Sequence, residues 1–135
     1  ADLRTGGQAP EGNGYFFAPT VLDNVPAEAK IANTEIFGPI AAISRFSTQE
    51  EVVSRANDTP FGLAGYVFTE NLDRALNVAD ELETGLVGIN NGVPSNPAAP
   101  FGGMKQSGLG REGSHEGLEE YQEIRYYNIA RRPTV

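Results

Sequence analysis

Leu63–Thr69 reads Leu-Ala-Gly-Tyr-Val-Phe-Thr and Leu86–Asn90 reads Leu-Val-Gly-Ile-Asn, and between them Leu72, Ala75, Leu76, Ala79 and Leu82 recur at helical spacing. Apolar residues at that period mark one buried stripe of a helix, and short β-branched or aromatic runs bounded by turn residues mark strands. Asn71 stands where it can cap the helix, and Gly85 where it can stop it. Strand, helix and strand with short joins predict a right-handed crossover between parallel strands. The pattern extends upstream. Ile40–Phe46 reads as a buried strand, and Thr48-Gln49-Glu50-Glu51 is a capping box opening a helix through Val52, Val53 and Ala56. The predicted fold class is α/β, with Ile40–Phe46, Leu63–Thr69 and Leu86–Asn90 in one parallel βαβ sheet and helices over both faces. Ligands of such sheets bind beyond the C-terminal strand ends, which points to Asn90 and the loop after it.

Toward the N-terminus the chain turns to strands and loops. Gln8–Gly14 is a polar turn region, and Tyr15–Leu22 reads as a strand that Pro19 confines to an edge or bulge. Ala27–Ala32 can form a short helix after Pro26. In Thr34-Glu35-Ile36-Phe37-Gly38-Pro39, Glu35 and Phe37 are two apart, so in extended backbone they share a face and can point into one cleft. A solvated glutamate beside a core phenylalanine is the plainer reading of the same spacing.

Toward the C-terminus, Ser95 lies in a rigid loop between Pro94 and Pro97, placed either to hydrogen-bond a substrate or to satisfy the turn. Pro100–Gly113 follows, Pro-Phe-Gly-Gly-Met-Lys-Gln-Ser-Gly-Leu-Gly-Arg-Glu-Gly. Its last six residues spell the G-x-G-x-x-G of dinucleotide-binding turns, which works only between a buried strand and a helix. Phe101–Ser107 contains no β-branched run to serve as that strand, so the stretch reads as a loop entering a helix. That helix is expected over Ser114–Tyr121 with Ser114 as N-cap, and Ile124–Ala130 is expected as a terminal strand. A terminal strand with a free edge invites pairing with another chain.

The 135 residues suffice for one ordinary domain with a real core. A net charge of −8 speaks against a nucleic-acid groove, and the longest apolar runs fall far short of a membrane span. No charged-then-apolar leader opens the sequence, and the expected setting is cytoplasmic. Without cysteine there is neither a thiol nucleophile nor a thiolate metal site. His115 is the single histidine. Ser114-His115-Glu116 contains triad residue types, but neighbours on a helix diverge and are not expected to form a relay. No metal-ligand spacing is present. By itself the sequence holds no complete active site, and its opening, Ala1-Asp2-Leu3, reads as a piece of something longer.

Thr34–Pro39 (T-E-I-F-G-P), Leu86–Asn90 (L-V-G-I-N), Pro100–Gly113 and Tyr121–Tyr126 (Y-Q-E-I-R-Y) occur here in one order. Together they resemble the C-terminal part of the NAD(P)-dependent aldehyde dehydrogenase family, most closely its succinate-semialdehyde dehydrogenase branch. The resemblance implies that residues 1–121 belong to the catalytic domain and residues 122–135 to an arm that joins a neighbouring subunit in a homo-oligomer. It implies that Glu35 binds hydroxyls of the nicotinamide ribose and that Phe37 helps position the nicotinamide ring. It places Ser95 at the substrate's distal carboxylate, Phe101 in the wall of the aldehyde tunnel, and Arg111 with Glu123 as a pair tying helix to final strand.

In the family reaction a cysteine thiolate attacks the aldehyde, the adduct gives hydride to NAD or NADP, and a glutamate-activated water releases the acid. The resemblance puts that cysteine upstream, so the chain alone is expected to be inactive. A stand-alone assembly module without catalysis is the rival from another class, and a betaine or fatty aldehyde is the rival substrate.

Overall fold

The computed structural model describes residues 1–131, which form two compact units, Ala1–Thr59 and the residues from Pro60 onward. The first contains β1 (Asp2–Thr5), β2 (Thr20–Asp23), a single 3₁₀ turn at Lys30–Ala32, β3 (Ile40–Ala42) and α1 (Gln49–Asn57). β1 runs antiparallel to β2, and β2 runs parallel to β3 with Thr20 opposite Ile40. Pro19, which has no N–H, stands just before the ladder, and the Thr20 N–H makes its bond to the Pro39 carbonyl at 2.8 Å. The expected strand over Tyr15–Leu22 is thus reduced to its end. The helix expected over Ala27–Ala32 is only the 3₁₀ turn.

Local signals in this unit were read correctly at α1. The Thr48 hydroxyl accepts from the Glu51 N–H at 3.2 Å, and the Glu51 carboxylate reaches back to accept from the Ser47 N–H at 2.9 Å. That is a capping box displaced by one residue at its return bond. The pairing of β3 differs from expectation: it joins β2, not the Leu63–Thr69 strand. A buried strand pattern specifies faces and leaves the neighbour open, and here the parallel partner lies upstream.

The second unit contains β4 (Phe61–Gly62), β5 (Ala64–Val67), α2 (Leu72–Glu81), β6 (Leu86–Ile89), β7 (Met104–Lys105) and α3 (Glu116–Glu119). β5 and β6 are parallel, with α2 as their crossover, as predicted. Asn71 caps α2, its Oδ1 accepting from the Arg74 N–H at 2.9 Å. β4 and β7 form an antiparallel pair that the sequence did not announce. Gly85 has a different role from the one expected. α2 already ends at Glu81, and a Cβ on Gly85 would run into the Gly102 carbonyl, so this glycine permits close backbone approach.

The stripe on α2 is only partly covered: Ala75 is buried, whereas Leu72 and Leu76 are exposed. Among the described residues, Val25, Val53 and Ala75 are the buried apolar side chains. The real core expected from chain length is not formed within this chain. At the C-terminal end the expected helix shrinks to the four residues of α3. Ser114 is not its cap: it has φ 53°, and His115 occupies the capping position without a side-chain bond. Ile124–Ala130 is not a strand, because a ladder needs a partner and none pairs with it among the described residues. Residues 132–135 of the expected arm lie outside the described residues.

Candidate functional site

The glycine-rich loop builds a site in the second unit. Phe101 and Glu112 exchange N–H···O=C bonds of 2.7 Å in both directions. Inside the loop so closed, the Arg111 guanidinium donates from Nη1 to the carbonyls of Gly103 at 3.0 Å and Gly110 at 2.6 Å. The Arg111 N–H donates to Glu120 Oε1 at 3.3 Å, joining the loop to the end of α3. A Cβ on Gly102 would meet the Gly110 carbonyl oxygen first and lie 2.7 Å from Arg111 Cδ, so this position admits no side chain without shifting the loop backbone as well as the arginine. The Ser107 hydroxyl accepts from the Gly62 N–H at 2.9 Å and anchors the loop to β4. Together these contacts leave a cavity of about 680 Å³, lined by Phe101, Leu109, Arg111, Leu118, Glu120 and Tyr121 among others. That volume suits a small ligand.

The G-x-G-x-x-G within this loop is not a dinucleotide turn. Gly108, Gly110 and Gly113 have φ of 117°, 79° and 70°. No strand runs into the motif, since β7 ends at Lys105, and α3 is a single turn. The loop reading is the correct one.

Of the predicted site residues, the structure brings Phe101 and Arg111 to one cavity. Ser95 lies exposed in the loop after β6, where Asn96 Oδ1 accepts from the Ala98 N–H at 2.9 Å and shapes the turn. Glu123 is exposed and makes no ion pair among the described residues, while Arg111 is engaged by carbonyls, so that pair is not formed within this chain. Glu35 and Phe37 lie in the irregular segment before β3. Both are exposed, Phe37 at 93%, and neither lines the cavity of about 390 Å³ in their own unit, which is lined by Val25, Ile31, Ser44, Phe46 and Arg55 among others. The shared cleft expected for them is therefore not made by this unit, and nor is the burial of Phe37 as a core residue.

Two arrangements were missed. Asn90, with φ 51°, uses its side-chain amide to bridge the strand ends: Oδ1 accepts from the Thr69 N–H and Nδ2 donates to the Thr69 carbonyl, both at 2.9 Å. An asparagine directly after a strand, able to adopt a left-handed backbone, was the available signal. Ser114, His115 and Glu116 also meet, contrary to expectation. Ser114 Oγ lies 3.2 Å from His115 Nδ1, and His115 Nε2 lies 3.2 Å from Glu116 Oε1. The helical argument against that contact failed because Ser114 is outside α3. The Ser114 hydroxyl is the main cause holding the Glu116 carboxyl below its usual range. The His115 side chain is 80% exposed, so water competes at both ring nitrogens and the trio is a surface network.

Among the described residues no cluster of three or more His, Asp or Glu side chains could hold a metal ion, and no helix is long and apolar enough to cross a membrane. What the second unit offers is an α/β frame, a strand-end clamp and a glycine loop closed around one arginine.

The profile of the aldehyde dehydrogenase family matches residues 1–127, and the chain belongs to this family. It is 54% identical over 124 residues to succinate-semialdehyde dehydrogenase [NADP(+)] of Escherichia coli, covering 92% of this chain and 26% of that protein. It is 51% identical over 130 residues to glutarate-semialdehyde dehydrogenase of Pseudomonas putida, covering 96% and 27% respectively. The structure of an NAD+ complex of aldehyde dehydrogenase from Bacillus cereus superposes with a TM-score of 0.87 at 42% identity, covering 92% of this chain and 25% of that one. The chain thus spans about a quarter of the length of these relatives.

Proposed function

We propose that this chain is part of an oxidoreductase that oxidises a small aldehyde with a distal acid group, succinate semialdehyde first, to the carboxylic acid using NAD or NADP. The observation that carries the reading is identity above one half to relatives named for succinate and glutarate semialdehyde. Both compounds have an aldehyde at one end and a carboxylate at the other. In this reading the Ser95 hydroxyl donates to the distal carboxylate and Phe101 walls the aldehyde channel against water.

The residues expected at the cofactor fit a nicotinamide nucleotide. Glu35 is exposed, and a carboxylate accepts hydrogen bonds from ribose hydroxyls. Phe37 presents a bare ring face against which a nicotinamide can lie. When bound, the cofactor takes up the hydride. This chain has no thiol, so the covalent step belongs to a portion of the enzyme outside this sequence. Residues 1–121 act in the catalytic domain. The segment from residue 122 onward docks on a neighbouring subunit's sheet, and Glu123 pairs with Arg111 in the assembled enzyme.

The test is a side-by-side assay of a family-length protein carrying this sequence and of the isolated chain, with succinate semialdehyde and NAD or NADP, following reduced nicotinamide. Turnover by the family-length protein alone is expected. Turnover by the isolated chain would overturn the assignment of the nucleophile. Failure of the family-length protein on every carboxylated aldehyde would overturn the substrate class and favour a betaine or fatty aldehyde, and failure on all aldehydes would favour an assembly module.

A further inference from the structure

Two asparagines are followed directly by glycine, Asn13 before Gly14 and Asn91 before Gly92. Such a junction carries its own reaction, because the glycine amide nitrogen can attack the asparagine side-chain carbon, and glycine has no Cβ to block the approach. Asn91 belongs to the loop that runs from the strand-end clamp to Ser95, four residues on. Both Asn91 and Gly92 are exposed, and a Cβ on Gly92 would meet no atom within 4 Å. The Gly92 N–H and Asn91 Nδ2 have no hydrogen-bond partner among the described residues. Asn91 Oδ1 does have one, accepting from the Val93 N–H at 3.0 Å. That bond draws electrons from Cγ and supports the negative oxygen that forms when Cγ is attacked.

Other asparagines lack one part or another of this arrangement. Asn90 engages both side-chain polar atoms with Thr69, at 2.9 Å each, and precedes Asn91, whose Cβ stands in the path of attack. Asn96 precedes Pro97, which has no N–H to attack with. Asn13 is exposed, but no hydrogen bond polarises its amide among the described residues, and the Phe16 ring stands beside Gly14.

We propose that Asn91–Gly92 is a site of spontaneous modification, where asparagine converts to aspartate and isoaspartate and the loop's hold on a carboxylated aldehyde weakens as it does so. The Gly92 nitrogen loses its proton to hydroxide and bonds to Asn91 Cγ. The Cγ–Nδ2 bond then breaks, and Nδ2 takes a proton from water and leaves as ammonia, giving a cyclic imide. One water opens the imide. Attack at Cγ restores the ordinary chain with aspartate, and attack at the Asn91 main-chain carbonyl leaves the chain running through Cγ, longer by a methylene. Neither oxidant nor reductant takes part. Either product adds a negative charge to a chain that carries −8, and like charges repel a substrate carboxylate. The longer main chain also displaces Ser95. The effect on substrate rests on the role of Ser95 proposed above, whereas the conversion itself does not.

The test incubates a folded family-length protein carrying this sequence at mildly alkaline pH, beside the same chain unfolded in urea. Peptide mass spectrometry, with aspartate and isoaspartate peptides separated, reads each asparagine. Conversion at Asn91 is expected in the folded protein, faster than at Asn13 and absent at Asn90 and Asn96, with a rate that rises with pH because the Gly92 nitrogen must lose a proton. Gly92 has neither a left-handed φ nor a close neighbour, so Gly92→Ala is accommodated and should slow conversion by about tenfold or more. As Asn91 converts, kcat/KM for succinate semialdehyde should fall by about tenfold while an uncharged aldehyde of equal length is spared, and Gly92→Ala should hold its activity over the same period. Asn91 intact in the folded protein after it has converted in the unfolded one, or Asn13 converting first, would overturn the site. Unchanged turnover of succinate semialdehyde with Asn91 converted would overturn the effect on substrate. Conversion at Asn91 in a protein that oxidises no carboxylated aldehyde would uphold the site and overturn the substrate reading.

Discussion

Phe101 and Glu112 are locked to each other by two backbone hydrogen bonds of 2.7 Å, and this one pair turns a glycine-rich string into a closed loop. The loop closes around the Arg111 side chain only because Gly102 lacks a Cβ, which would meet the Gly110 carbonyl oxygen first and then Arg111 Cδ. Gly102→Ala therefore forces the Gly110 backbone and the Arg111 side chain to shift, weakening the bonds from Arg111 to the Gly103 and Gly110 carbonyls. The expected cost is about 1–3 kcal/mol, the usual range for overpacking a tight site. Urea unfolding of the family-length protein would measure it, and Gly108→Ala serves as the contrast, because no atom lies near a Cβ there and only its φ of 117° is strained.

Asp23 contributes to the pH dependence of the first unit. Its carboxylate accepts from Arg4 at 2.9 Å and Arg45 at 3.1 Å, and the Asn24 N–H donates to its other oxygen at 2.9 Å. Arg4 first, then the Asn24 N–H and Arg45, hold the carboxyl below its ordinary value of 3.8. A folded-state pKa lower than the unfolded one gives stability that is present above the ordinary value and lost as pH falls through the depressed one. Denaturation at stepped pH should show that acid loss. Asp23→Asn should be less stable at neutral pH and should lack this component of the acid dependence.

The helix caps make separate, local contributions. Asn71→Ala removes the acceptor of the Arg74 N–H, and Thr48→Ala removes the acceptor of the Glu51 N–H. Each should cost about 0.5–2 kcal/mol, and the two should add, since they lie on different helices. Equilibrium unfolding of the single and double variants checks both statements.

These results also show which features are legible in a sequence of this kind. The caps at Thr48 and Asn71 and the crossover from β5 through α2 to β6 are set by residues close to one another in the chain. The partner of β3 was not legible, because strand pairing is decided by distant segments. The buried stripe of α2 was read from its period, yet Leu72 and Leu76 remain exposed because period says which face is apolar, not what covers it. The same holds for Ile124–Ala130, where strand propensity without a ladder partner gives no strand. At the candidate site, Phe101 and Arg111 were singled out by the family resemblance and not by composition or spacing, and the contact of Ser114 with His115 depended on a left-handed backbone at Ser114 that no spacing rule revealed.

The most direct test of the account is Ser95→Ala in a family-length protein carrying this sequence, with kcat/KM compared between succinate semialdehyde and an uncharged aldehyde of equal length. Loss of a hydrogen bond to a charged group costs about 1.5–3 kcal/mol, roughly a 10- to 150-fold fall, and the account predicts that fall for the carboxylated substrate alone. An equal loss on both substrates, or no loss on either, would contradict it.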